Sequence, residues 1–322
     1  MNKKDFKRVG LFGSDYALLI YLLYSTKEEI DDTFFVFNQG IPEKVREYFC
    51  RQSYDLAKLP GKKGLLREAA DILNHLTYRF RWPFMKNAEF WGMPIVGVEF
   101  LGSRKIHQIE EGGEHLGLSA NNPRKWLWLR RLLHGEWFEN YTLDSPQIAS
   151  IVLTHPLLKH KTHKNCKQII IDLAERWRNN VYGRQILLDS HGITKELLQQ
   201  LSDCKYLLLT QTFTEDGVLP LEREIELYRQ LLGDVNLNEL LIKPHPREYI
   251  NKASYFPGAK VFSVKCPIQL LAYCGFQPQK IYTINSTSLY SLPYKNIKMK
   301  FMGTECDDRL VKRFGIMKAR EF

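Results

Sequence analysis

The segment of this chain best equipped for chemistry is a histidine held between two prolines and flanked by two cations, Lys243-Pro244-His245-Pro246-Arg247. Neither proline carries an amide hydrogen, and each biases the residue before it away from the helical region. The imidazole therefore sits on a stiff, extended stub. A compact ammonium, a titratable ring with an ordinary pKa of ~6.5 and a planar guanidinium fork together suit an anion. Two acidic turns supply candidate bases, Glu110-Glu111-Gly112 and Glu215-Asp216-Gly217. Consecutive hydroxyls at Ser286-Thr287-Ser288 precede an apolar stretch from Leu289. If a helix starts there, its free amides and positive dipole end would favour a phosphate. Each feature also has a plainer origin, in a strand exit with solvated charges, an acidic turn or ordinary helix capping.

The elements that must position these residues follow from the apolar pattern. Glu239 to Ile242 is a short aliphatic run stopped by proline, hence a buried strand with His245 beyond its carboxyl end, where ligands bind in open α/β sheets. Tyr206 to Thr210 reads as a strand, Gln211 to Gly217 as a polar loop and Pro220 to Leu232 as a helix. That βαβ unit places Asp216 and His245 at the ends of two parallel strands. Val261 to Val264 and Lys280 to Ile284 are further strands, with a helix at Pro267 to Tyr273 and another near Leu289.

In the amino half, Arg8 to Phe12, Thr33 to Phe37, Met93 to Leu101, Lys105 to Ile109 and Ala149 to Leu153 read as strands, and Gln185 to Leu188 as a strand or connection. Tyr16 to Tyr24, the segment after Pro42, Lys62 to Phe80 and Asp172 to Asn180 read as helical. Strand, turn and helix at Arg8 to Tyr24 form a Rossmann-like opening, but GxGxxG is missing, which argues against a dinucleotide there. Thr154-His155-Pro156 repeats the His-Pro pair without flanking cations and is set aside as a decoy. A boundary near Asp189-Ser190-His191-Gly192 gives two domains, 1–190 and 191–322, a division that 322 residues permit.

Composition narrows the partners. Lys and Arg number 46 against 36 Asp and Glu, a net charge of +10 that favours anions. Interleaved Trp126, Trp128, Arg130, Arg131 and Trp137 could stack on sugars, bases or lipid headgroups, or pack as an amphipathic helix on their own domain. A basic nucleic-acid-binding protein is therefore an alternative, though no recognised binding motif accompanies the charge. Six cysteines lack paired CxxC spacing, which argues against a zinc site or disulfide framework, and no Asp-x-Asp triplet offers a metal grip. No signal peptide or membrane span is expected. The reading is a cytoplasmic protein, peripheral at the inner membrane face through Lys295, Lys298, Lys300, Lys312 and Arg313.

Leu209-Thr210-Gln211-Thr212 with Glu215-Asp216-Gly217, Ile242 to Glu248, Pro267-Ile268-Gln269-Leu270-Leu271 and Ser286-Thr287-Ser288 resemble glycosyltransferase family 52, which contains the bacterial lipooligosaccharide α-2,3-sialyltransferases. Trp91-Gly92-Met93-Pro94 and Ile109-Glu110-Glu111-Gly112 extend the resemblance into the amino half, the latter through an acidic-acidic-glycine motif. Thr212 and Gln269 depart from it, standing where proline and glutamate are expected. The resemblance implies an α/β, GT-B architecture: two Rossmann-like domains with parallel sheets facing across a cleft, the first on the acceptor side and the second binding CMP. It implies an inverting transfer of sialic acid from CMP-sialic acid to a terminal galactose of a lipooligosaccharide or capsule, with no cofactor or metal. His245 would protonate or hydrogen-bond the departing phosphate, Ser286, Thr287 and Ser288 would hold it, and Lys243 and Arg247 would neutralise the donor. Thr210, Gln211 and Pro246 complete the implied donor contacts. The base is Asp216, Glu110 or Glu111, which the sequence leaves open. The implied partners are CMP-sialic acid, a galactose-terminated oligosaccharide or glycolipid, an anionic membrane surface and a second copy in a homodimer, with no nucleic acid. A same-fold transferase using another nucleotide sugar, such as a glucose donor, is the nearest alternative.

Overall fold

The computed structural model describes residues 5–58, 73, 77–78, 80–93, 96, 101, 104–110, 147–155, 165–294 and 297–321. Glu111, the tryptophan-arginine segment, most of Lys62 to Phe80 and the stretch from Pro156 to Lys164 lie outside them. Contacts divide the chain into two units, Met1–Ser190 and His191–Phe322.

Among the described residues, unit one holds a seven-stranded, wholly parallel sheet ordered β3-β2-β1-β4-β5-β6-β7. Its strands are β1 (Arg8–Phe12), β2 (Thr33–Phe37), β3 (Ser53–Asp55), β4 (Glu89–Gly92), β5 (Ile106–Ile109), β6 (Ile148–Leu153) and β7 (Lys167–Ile170). Both faces of a parallel sheet are covered, so its central strands are apolar throughout rather than alternating. Every residue of β2 is buried. The helix Asp15–Tyr24 is buried along nearly its whole length, which explains a sequence apolar on all sides. Gly92 has φ of +106°, and a Cβ there would lie 2.1 Å from the Leu11 carbonyl oxygen, so only glycine lets β4 end against β1.

Unit two repeats the plan with a six-stranded sheet ordered β10-β9-β8-β11-β12-β13. The strands are β8 (Tyr206–Leu209), β9 (Leu240–Lys243), β10 (Lys260–Val261), β11 (Lys280–Thr283), β12 (Lys298–Phe301) and β13 (Arg320–Glu321), the last antiparallel. The helix Leu221–Leu232 covers this sheet with Ile225, Leu227, Tyr228 and Leu231, packed on Leu208, Leu240 and Ile242. In both sheets the first strand lies between the second and the fourth, the arrangement of a doubly wound fold. The β1/β4 and β8/β11 junctions are its switch points, outside whose carboxyl ends ligands bind.

Four expectations need correction. Gln185 to Leu188 belongs to the helix Val181–His191, whose apolar residues made a short run that periodicity alone could not separate from a strand. Of the strand expected from Met93 to Leu101, Met93, Val96 and Leu101 are not in a strand and the other residues lie outside the described ones; the strand before them, β4, ends at Gly92. The strand expected at Val261 to Val264 is the shorter Lys260–Val261. The helix expected near Leu289 is not an α-helix but a single 3-10 segment, Thr287–Ser291. Among the described residues, no helix is long and apolar enough to cross a membrane.

Candidate active site

The carboxyl ends of β8, β9 and β11 are adjacent, and each carries part of the expected constellation. At the end of β9, Lys243 is buried opposite Leu209 of β8. The chain then turns at His245, whose carbonyl accepts the Glu248 amide at 2.9 Å. The His245 ring accepts the Arg247 amide on Nδ1 at 3.2 Å. A neutral ring bonded this way carries its hydrogen on Nε2, so the imidazole offers a donor rather than a base. Burial, with Arg247 and Lys243 nearby, pushes its pKa down to about 4, against the opposing pull of Asp216.

Arg247 in turn grips Asp216: Nη1 donates to Oδ1 and Nη2 to Oδ2, both at 3.1 Å. The same Nη2 donates to the Thr212 hydroxyl at 3.1 Å, and that hydroxyl donates to Asp216 Oδ2 at 2.8 Å. Partial burial disfavours the charge on Asp216, but Thr212 and the fork outweigh it and hold the carboxyl below its ordinary range. Gly217 follows with φ of +69°, closing the turn. The structure thus gathers His245, Arg247, Lys243 and Asp216 at one sheet edge.

The remaining expected donor contacts differ in how engaged they are. The Thr210 hydroxyl donates to buried Glu248 at 2.6 Å, and the Gln211 amide donates to the Tyr228 hydroxyl at 2.7 Å. Pro246 is half-buried. Ser286 and Ser288 share a hydroxyl hydrogen bond of 2.7 Å, while the Ser286 amide donates to Thr283 Oγ1 at 3.2 Å. Of Thr287 only the backbone is described.

Glu110 lies in unit one, just beyond β5, and is 1% exposed. Its Oε2 accepts the Thr154 amide at 2.6 Å and the Thr154 hydroxyl at 2.9 Å. Burial raises its proton affinity, only partly offset by those bonds from Thr154. Thr154, from the segment set aside as a decoy, is therefore the partner of a candidate base, with the Tyr16 hydroxyl 3.3 Å away. Among the described residues no group of three or more His, Cys, Asp or Glu could hold a metal ion.

Sequence reasoning missed a buried network beneath the two loops: Glu224, Tyr228, Glu248 and Lys252. One signal was present. Leu221, Glu224, Tyr228 and Leu231 fall at helical spacing on one face, so an acidic residue stood in a core-facing stripe.

The two switch-point sheets are the fold of GT-B glycosyltransferases. A sialyltransferase from Photobacterium damsela is similar to this chain with a TM-score of 0.51 and 12% identity, over 89% of this chain and 72% of that one. The GT-B domain of a Photobacterium damselae sialyltransferase gives 0.52 and 11%, over 90% and 89%. Residues 146–257, which carry both loops of the site, match the alpha-2,8-polysialyltransferase family model, and this match supports sialyltransferase activity. An uncharacterized protein of Haemophilus influenzae is 33% identical over 316 residues, 96% of this chain and 98% of its relative. The chain belongs to the same family as that protein.

Proposed function

We propose that the chain is an inverting, metal-independent sialyltransferase that moves sialic acid from CMP-sialic acid to a bacterial surface glycan. The observation that carries this reading is the neutral, Nε2-protonated His245 set beside Arg247 and Lys243 at the end of β9. A CMP-sugar presents a phosphodiester monoanion, and its departing oxygen gains charge as the glycosidic bond breaks. Preorganised donors and cations act most strongly where charge develops, and His245 and Arg247 are such groups.

In the proposed step, an acceptor hydroxyl loses its proton to a carboxylate while its oxygen bonds to the anomeric carbon. The carbon–oxygen bond to phosphate breaks, and CMP leaves as the anion with the Nε2 hydrogen of neutral His245 donating a hydrogen bond to its departing oxygen. A base is most effective with a pKa near the working pH. Glu110, whose proton affinity burial raises, suits that role better than Asp216, which Arg247 and Thr212 hold ionised. Asp216 is assigned instead to hold the Arg247 fork. Thr210, Gln211, Lys243, Pro246, Ser286, Thr287 and Ser288 are proposed to line the CMP donor, and no metal ion is required.

The proposed acceptor is a terminal galactose of lipooligosaccharide or capsule. A second reading, a terminal sialic acid, is favoured by the polysialyltransferase match over 146–257. A donor screen separates these readings: CMP-sialic acid and UDP-glucose, each with lactose or sialyllactose, with and without EDTA. CMP release with lactose or sialyllactose, unaffected by EDTA, is expected. Transfer from UDP-glucose alone, or a strict need for magnesium or manganese, would refute the proposal. The cytoplasmic setting, the peripheral contact with an anionic membrane and the homodimer are proposed alongside it.

A further inference from the structure

We propose that Lys252 is the positioning residue of the donor site, locking the loop that carries Asp216 against the loop that carries His245 and Arg247. Its side chain is fully buried, and a buried ammonium persists only when charges and acceptors surround it. Nζ donates to the Gln211 carbonyl, to Glu215 Oε2 at 2.8 Å and to Glu224 Oε1 at 2.8 Å, with Glu248 Oε2 at 3.7 Å.

Each partner holds loop backbone in turn. The second oxygen of Glu215 accepts the Ile250 amide at 3.3 Å, joining the two loops directly. Glu224 Oε2 accepts both the amide and the hydroxyl of Thr214, at 2.9 and 2.7 Å. Tyr228 accepts the Gln211 amide and donates to Glu224 Oε1 at 3.2 Å. Glu248, beside Arg247, accepts the Thr210 hydroxyl. The apolar cluster of Leu208, Ile225, Leu231, Leu240 and Ile242 already holds helix to sheet. What the Lys252 network adds is a buried tie between residues 210–217 and 244–250, beneath the half-exposed bonds from Arg247 to Asp216 and Thr212 that also join them. A fork such as Arg247 to Asp216 must be held close to its working geometry by such a supporting layer.

The consequence for turnover rests on the sialyltransferase reading, but the geometry does not. The test uses Lys252→Met and Glu215→Gln in the full chain. Glu215→Gln turns an amide donor toward the ammonium while preserving size. Histidine NMR, with the His245 signal assigned by its loss in His245→Asn, reads the site without any substrate. In the wild type, burial with Arg247 and Lys243 nearby pushes the pKa of the ring down to about 4, which is the midpoint expected. In Glu215→Gln, with the circular dichroism spectrum unchanged, the midpoint should rise toward the ordinary 6.5 as Arg247 moves off and water enters. Turnover should fall at least about tenfold, with the acceptor KM unmoved. A folded Glu215→Gln whose His245 midpoint stays at the wild-type value overturns the proposal, whatever the enzyme transfers. If Lys252→Met does not fold, Glu215→Gln decides alone. A midpoint that rises in a protein inert toward every CMP-sugar leaves the positioning role standing and removes the function instead.

Discussion

Arg247 and Asp216 meet as a bidentate pair, both hydrogen bonds 3.1 Å long, bridging the exits of two neighbouring parallel strands. The pair is half-exposed, so its contribution to stability is small. Its proposed use is orientation: Asp216 aims a guanidinium that the donor phosphate then shares. Arg247→Lys should therefore cost ~100-fold in turnover, as for loss of a preorganised donor. Asp216→Asn should cost only about tenfold, because the arginine remains. The double variant should fall short of the product of the two, since both act on one interaction. A loss of ~10³-fold or more in Asp216→Asn alone would return Asp216 to the role of base.

His245→Asn removes the ring proposed to donate to the departing phosphate, with an expected loss of ~10²- to 10³-fold in kcat, as for one preorganised donor. It has a second, independent signature. The unfolded chain takes up this proton near 6.5, the folded one only at about 4. Between those values the unfolded state binds more protons, so wild-type stability falls as the pH drops through this window and is unaffected above it. Denaturant titrations of His245→Asn from pH 7 to pH 4 should lack that part of the slope.

The strands bearing the site were readable because prolines, glycines and short aliphatic runs punctuate them. Thr33 to Phe37 is a strand as read, and Glu215-Asp216-Gly217 does close a turn beside the His245 exit. Side-chain partners were not readable in the same way. Lys252 and Glu224 are 28 residues apart, and a lone lysine in Asn251-Lys252-Ala253 looks like any solvated charge. Thr154 carries no signal of its own in Thr154-His155-Pro156; the parallel pairing of β5 with β6 brings its amide to Glu110. The serine cluster misled through composition, since hydroxyls that suit a helix cap equally suit a 3-10 turn.

A stability test isolates the amino unit. Gly92→Ala places a methyl 2.1 Å from the Leu11 carbonyl oxygen at a φ that L-residues rarely adopt. Strain of that kind and the displaced β1–β4 edge should together cost roughly 3 kcal/mol. A lower denaturant midpoint with an unchanged slope would show it. An unaltered midpoint would mean that the end of β4 adapts without cost.

Thr154 offers the sharpest test of the base. Its hydroxyl and amide both favour the ionised form of Glu110 and so offset part of the rise that burial causes. Thr154→Val keeps the amide and the shape but removes the hydroxyl, so the Glu110 carboxyl should hold its proton to higher pH. If Glu110 takes the acceptor proton, the acid limb of kcat/KM reports its ionisation in the free enzyme. That limb should move upward in Thr154→Val while the plateau at high pH stays near wild type. Glu110→Gln should lose activity across the whole range. An acid limb that stays in place in Thr154→Val, with an active Glu110→Gln, would leave Glu110 as a tie between β5 and β6 and assign the proton to another carboxylate.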